Sequence, residues 1–289
     1  RSAQRARLAR AWREGPADFL LAQVVADLLD RLAVVKRDFR SILDLGTPGP
    51  GLAQALTGAS GRPFLVRMAG AQAALGGAGP RLVGDEEAQP FPPGAFDLIV
   101  SALALQGVND LPGALMQARR ALRPDGLMIA ALVGGRSLAE LREAFAAAES
   151  EVVGGVSPRV APMIDLRDLG ALLQRAGFAL PVVDVDALTV RYPHALALMR
   201  DLRAMGATNS LALRVRAPLR RAVLRRAVEI YGERFADADG RVRATFEIIW
   251  LSGWAPHDSQ QKPLAPGSAK MRLADALAAQ ATTGGQEAG

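Results

Sequence analysis

The stretch Ser41-Ile42-Leu43-Asp44-Leu45-Gly46-Thr47-Pro48-Gly49-Pro50-Gly51 decides how the rest of the chain is read. Small and apolar residues lead into an acid, and glycines follow at positions 46, 49 and 51. Leu52-Ala53-Gln54-Ala55-Leu56 then continues with the spacing of a first helical turn. This is a strand, a glycine turn and a helix start. Glycine reaches backbone angles that other residues avoid, and it brings main chain up to a ligand with no Cβ in the way. The helix start adds free N–H groups and a partial positive charge aimed into the turn. At the first strand of an open α/β sheet, such a turn holds a nucleotide-type cofactor. A glycine turn by itself serves equally well as a plain structural turn.

The rhythm downstream supports the first reading. Pro63 to Met68 reads as a second strand, and Arg81-Leu82-Val83-Gly84 as a third apolar piece running into Asp85-Glu86-Glu87. Phe91 to Leu103 reads as a turn and then a buried strand. Leu111 to Leu122 has helical spacing and stops at Arg123-Pro124-Asp125-Gly126, after which Leu127 to Val133 is a fifth strand. Ser137-Leu138-Ala139-Glu140 has the pattern of a capping box opening a helix to about Ser150. Strands alternating with helices in this way imply an α/β fold with a mainly parallel sheet flanked by helices.

Upstream, residues 1–40 read as an N-terminal helical segment whose first part, Arg1 to Arg13, is strongly basic. We read it as a helix covering one face of the sheet, not as a nucleic-acid arm. In the second half, Asp165 to Ala176 reads as helix and Val182 to Tyr192 as strand. His194 to Met205 and Ala217 to Phe235 read as helices, and Arg243 to Trp254 as the last strand. Residues 193–240 are thus a helical insertion before that strand, placed as a lid over the cofactor edge. The main domain is expected over 41–277, with 278–289 a disordered tail.

Composition narrows the chemistry. Among 289 residues half are apolar, 5% aromatic and 22% charged, as in an ordinary globular protein. Net charge is +6, and apart from Lys36, Lys262 and Lys270 every basic residue is arginine. No aromatic interleaving accompanies it, so no nucleic-acid partner is expected. With no cysteine, thiol chemistry is absent, and with His194 and His257 alone no histidine-rich metal site is expected. No apolar run reaches membrane-spanning length, and the expected location is cytoplasmic or matrix-like.

The order of these signals resembles the class I S-adenosylmethionine-dependent methyltransferases, which are Rossmann-like. Asp44-Leu45-Gly46 through Gly51 is similar to the family's first motif, and Asp85 to Phe91 resembles its adenine-side segment. Phe96-Asp97-Leu98-Ile99-Val100 resembles its fourth strand, and Leu122 to Leu127 the turn into its fifth. Val108 to Ala114, Gly154 to Arg159, Leu202 to Asn209 and Ser259 to Leu264 resemble a narrower set. It comprises proteins similar to mitochondrial complex I assembly factor 5, related to the malonyl-carrier-protein O-methyltransferases. The resemblance implies S-adenosylmethionine as cofactor and Asp44, Gly46, Gly49, Gly51, Asp85, Glu86 and Ser101 as its binding residues. The pocket is expected between the Gly46–Gly51 turn, the Asp85–Glu86 turn and Ser101-Ala102-Leu103. The acceptor would be a small acid, a carrier-bound acyl group or a protein. The alternatives are complex I assembly with arginine hydroxylation on a subunit, peripheral to the inner membrane, or a non-catalytic binding protein.

Three departures from the family bear on this. Thr47-Pro48 lengthens the glycine loop, Gln106-Gly107 stands where the subgroup carries His-Trp, and Val66-Arg67-Met68-Ala69-Gly70 lacks the acid that grips the ribose. Arg67, with donors only, cannot replace that carboxylate and would instead favour an anionic ligand. The expectation is cofactor binding that is weakened or lost. No catalytic residue and no metal ligand is assigned.

Overall fold

The structure is a computed structural model that describes residues 1–58, 63–77 and 79–260. The chain divides into two compact units, Arg1–Pro256 and His257–Gly289, and the first contains every element named below. The expected tail, 278–289, lies outside the described residues.

Seven strands form one sheet in the order β3-β2-β1-β4-β5-β7-β6. They are β1 (Ser41–Leu45), β2 (Phe64–Ala69), β3 (Arg81–Val83), β4 (Phe96–Ala102), β5 (Leu122–Gly134), β6 (Ala179–Tyr192) and β7 (Val242–Trp254). β1 to β5 pair in parallel, and β7 runs antiparallel to both β5 and β6. The helices are α1 (Ser2–Glu14), α2 (Phe19–Ala33), α3 (Gly51–Gly58), α4 (Leu111–Ala121), α5 (Ala139–Val153), α6 (Leu166–Arg175), α7 (Ala195–Ala204) and α8 (Arg221–Phe235).

The sheet is buried on both faces, which is why its central strands are continuous apolar runs. Side chains alternate along each strand. Leu98, Val100, Ala102, Leu127, Ile129 and Ala131 join the core shared with α2, α3, α5, α7 and α8. Ile99, Met128, Ala130 and Leu132 join the opposite core, closed by α4 and α6 through Leu111, Leu115, Leu169 and Leu173. The result is three layers.

β6 starts at Ala179 instead of Val182 and α8 at Arg221 instead of Ala217, and two further differences have a visible cause. β5 already starts at Leu122, and the Arg123–Gly126 turn is a bulge inside it, between the pairs Phe96–Leu122 and Leu98–Leu127. Asp125 takes the positive φ of 60° that the bulge requires, and its N–H donates to the Ala255 carbonyl at 3.0 Å. The capping box does not form. α5 opens after Leu138 with no side-chain cap, because β7 recruits both residues of the pattern. Ser137 Oγ donates to the Gly134 carbonyl at 2.7 Å and accepts from the Glu247 N–H, while Glu140 accepts from the Thr245 hydroxyl at 2.5 Å.

Tyr192 pairs with Val242, so the chain leaves and re-enters the sheet at the end where the parallel strands finish. α8 lies along α5, and α7 packs on β6, α8 and α1.

Candidate functional site

β1 delivers Asp44 to the start of the glycine turn, in register with Arg67 on β2. Both side chains are 1% exposed, and Arg67 Nε donates to Asp44 Oδ2 at 2.9 Å. The rest of the guanidinium fork donates into the turn, to the carbonyls of Thr47 (3.1 Å) and Gly49, and beyond it to Gly76. Burial pushes the Asp44 carboxyl up from its ordinary range, and the Arg67 charge and hydrogen bond work against that rise. Thr47 Oγ1 accepts the Ala102 N–H at 2.9 Å, tying the turn to the end of β4. Gly46 and Gly49 have φ of 82° and 77°, angles that keep these positions to glycine. Their N–H groups donate to the carbonyls of Met68 (2.6 Å) and Ala74 (2.8 Å). Gly51 opens α3.

The expected pocket residues do converge, but α1 is seated over them. Arg1 pairs with Glu86, with Asp85 at 3.1 Å and with Glu87 at 3.4 Å, and Arg5 pairs with Asp85 at 2.5 Å. Desolvation would raise the Asp85 carboxyl, yet the Glu87 N–H together with Arg5 and Arg1 holds it below its ordinary range. Leu8 and Trp12 pack on Ala69, Ala74 and Leu75. A Cβ placed on Gly49 would fall inside the Trp12 ring, and one on Gly46 would lie 2.8 Å from Ala104 Cβ and 3.1 Å from the Glu86 carboxylate. Behind these contacts Ser101 Oγ is buried without a hydrogen-bond partner.

Comparison with known proteins fits this architecture. A family model described as a methyltransferase domain matches residues 18–181. The chain belongs to that family. Its relatives include the mitochondrial arginine-hydroxylase NDUFAF5 of Danio rerio, 40% identical over 89% of this chain and 82% of that protein. The Homo sapiens protein of the same name is 39% identical over 89% and 76%. The malonyl-[acyl-carrier protein] O-methyltransferase of Halorhodospira halophila is 34% identical over 84% of each chain. In fold, the YcgJ protein of Bacillus subtilis superposes with a TM-score of 0.54 at 15% identity, over 81% of this chain and 98% of that one.

In the methyltransferase domain as arranged here, the N-terminal segment covers the glycine turn. Trp12 takes the space above Gly49, and Arg1 takes the face of Glu86. Arg67 is not presented to a ligand, because Asp44 and three carbonyls absorb its donors, so the expectation of an anion at that side chain is corrected. No signal in the local sequence ties Arg1, Arg5 or Trp12 to a turn many residues away. The Asp44–Arg67 pair is legible only once β1 and β2 are set in register. His194 accepts the Ala197 N–H as the cap of α7, and among the described residues no three His, Asp or Glu side chains converge as a metal site.

The subgroup segment Gly154–Arg159 of the methyltransferase domain is fastened by buried Glu149. Desolvation would raise its pKa, but the Ser157 hydroxyl and N–H and the Arg159 guanidinium hold it below the ordinary carboxylate range. The folded pKa therefore lies below the unfolded one. The linked stability is present above the unfolded pKa and is lost as pH falls through the folded one. Urea titrations of Glu149→Gln should show a shallower acid-side loss of stability than the parent. Parallel profiles would show that Glu149 carries no such linkage.

Proposed function

We propose that this methyltransferase-fold protein acts on a protein partner, a subunit of respiratory complex I, and that its affinity for S-adenosylmethionine is weak while α1 is seated. The observation that carries this is the filling of the glycine turn from within, by Arg67 beneath it and Trp12 above it. The 39–40% identity to relatives named arginine-hydroxylase NDUFAF5, along most of both chains, supports a protein acceptor. No described helix is long and apolar enough to cross a membrane, so work at the inner membrane would be peripheral.

A second reading, methyl transfer to a small or carrier-bound acid, rests on the turn's retained positive-φ glycines and on Asp85 and Glu86 at the end of β3. Titration calorimetry of the chain with S-adenosylmethionine separates the two. The proposal expects weak or absent binding in the parent and a gain of about tenfold in Trp12→Ala, because removing the indole opens the space above Gly49. Submicromolar binding by the parent overturns it. Mass spectrometry of complex I subunits from cells with and without the chain checks the partner, through an arginine that gains one oxygen atom from dioxygen, a two-electron reductant taking the other to water, only when the chain is present.

A further inference from the structure

On the side of α1 away from the glycine turn, a cleft of about 380 Å³ is lined by Arg7, Arg10, Arg159, Arg203 and Arg214. Its volume lies in the range of small-molecule sites, roughly 300–1,000 Å³. The five arginines come from four places in the fold: α1, the segment after α5, α7, and the segment after α7. Among the described residues the one carboxylate ion-paired with any of them is Glu149, on Arg159 at 2.5 Å. Arg7 donates to the Thr208 carbonyl at 3.0 Å and Arg214 to the Leu211 carbonyl at 2.8 Å, so neither has its charge matched. Arg10 and Arg203 make no side-chain ion pair among the described residues, and both are exposed. Burial, then the Arg214 and Arg10 charges, push the Arg7 guanidinium down from its ordinary value, which places like charges close together here.

Guanidinium groups crowded around a hollow repel one another unless an anion sits between them. Fork-shaped donors arriving from four sides suit a tetrahedral group that accepts in several directions better than a planar carboxylate. Among the described residues no aromatic side chain lines the cleft, so these offer no platform for stacked bases of a single strand. Asn209, held by its donation to the Pro158 carbonyl at 2.6 Å, adds a neutral polar wall.

We propose that this cleft binds a small oligoanion carrying phosphoryl groups, of the pyrophosphate class, gripped by Arg7, Arg10, Arg203 and Arg214. The shared chemistry is the pyrophosphate; it arrives free, as a nucleoside diphosphate or as another phosphate ester. The site shares no side chain with the cofactor turn, although Arg7 and Arg10 lie on the same helix, α1, as Trp12.

The test is titration calorimetry of the full chain with inorganic pyrophosphate, ADP, citrate and a single-stranded oligonucleotide. Pyrophosphate should bind at least about tenfold more tightly than citrate. The variant Arg10→Ala/Arg203→Ala removes two exposed side chains that have no ion pair among the described residues, so its circular dichroism and melting temperature should match the parent. Its pyrophosphate affinity should fall by about a hundredfold, a factor of ten for each charge-assisted contact. ADP binding as tightly as pyrophosphate assigns a nucleoside diphosphate, and weaker ADP binding assigns a smaller ester; both sustain the proposal. It is overturned by no heat with millimolar pyrophosphate, by citrate binding as well, by undiminished affinity in the double variant, or by the oligonucleotide binding more tightly.

Discussion

Arg67→Met should lower the free energy of unfolding by about 3–5 kcal/mol, the usual loss when one partner of a buried ion pair is removed. Asp44 is 1% exposed and would keep its place in β1 with no counter-charge. The carbonyls of Thr47, Gly49 and Gly76 would lose their donors in the same step. Methionine is close in length and flexible, so packing alone accounts for little of the loss. Arg67→Lys should recover only part of it, since an ammonium cannot span a carboxylate and three carbonyls as the planar fork does. Asp44→Leu/Arg67→Met should be markedly more stable than Arg67→Met, because the orphaned charge is gone. Urea denaturation followed by circular dichroism decides. A loss below about 1 kcal/mol in Arg67→Met would place the pair among weak surface-type bridges instead.

How much of this could be read from the chain follows from the range of each interaction. The strands were legible because a strand buried on both faces is an unbroken apolar run, as in Leu98-Ile99-Val100 and Met128-Ile129-Ala130-Ala131. The turn at Gly46–Gly51 was legible because only glycine takes its φ angles cheaply. What failed was long-range pairing. Ser137 and Glu140 have the spacing of a cap, yet residues 245 and 247 of β7 offer them better partners. Arg67 looked like a vacancy left by a missing acid, although its partner lies one strand away in register. The basic run Arg1 to Arg13 gave its charge but not its address, since the acids that receive Arg1 and Arg5 are Asp85, Glu86 and Glu87. The five-arginine cleft draws on residues 7 to 214 and exists only in the folded chain.

Gly49→Val tests the seat of α1 from the other side. At φ of 77° a β-branched residue is strained by roughly 1–3 kcal/mol, and this strain acts on the whole domain. The new side chain would also collide with the Trp12 ring. Expelling that ring gives up apolar burial of about 1.5–3 kcal/mol or more, but this falls on α1 alone. α1 is joined to α2 by Gly15-Pro16-Ala17-Asp18 and contributes no strand, so its lifting is expected to leave the sheet folded. Limited proteolysis should therefore cleave near Gly15 at least about tenfold faster in the variant, while the urea midpoint falls by the smaller strain component alone. Trp12→Ala should show the same faster cleavage with no strain, since Gly49 stays glycine. The two variants part company toward S-adenosylmethionine: Trp12→Ala opens the turn, whereas the valine refills the space the indole left. Equal gains in affinity would mean that α1 as a whole, and not the space over Gly49, governs access. Unchanged proteolysis in Gly49→Val would mean that Trp12 does not rest on the turn, and the closed site described here would fall with it.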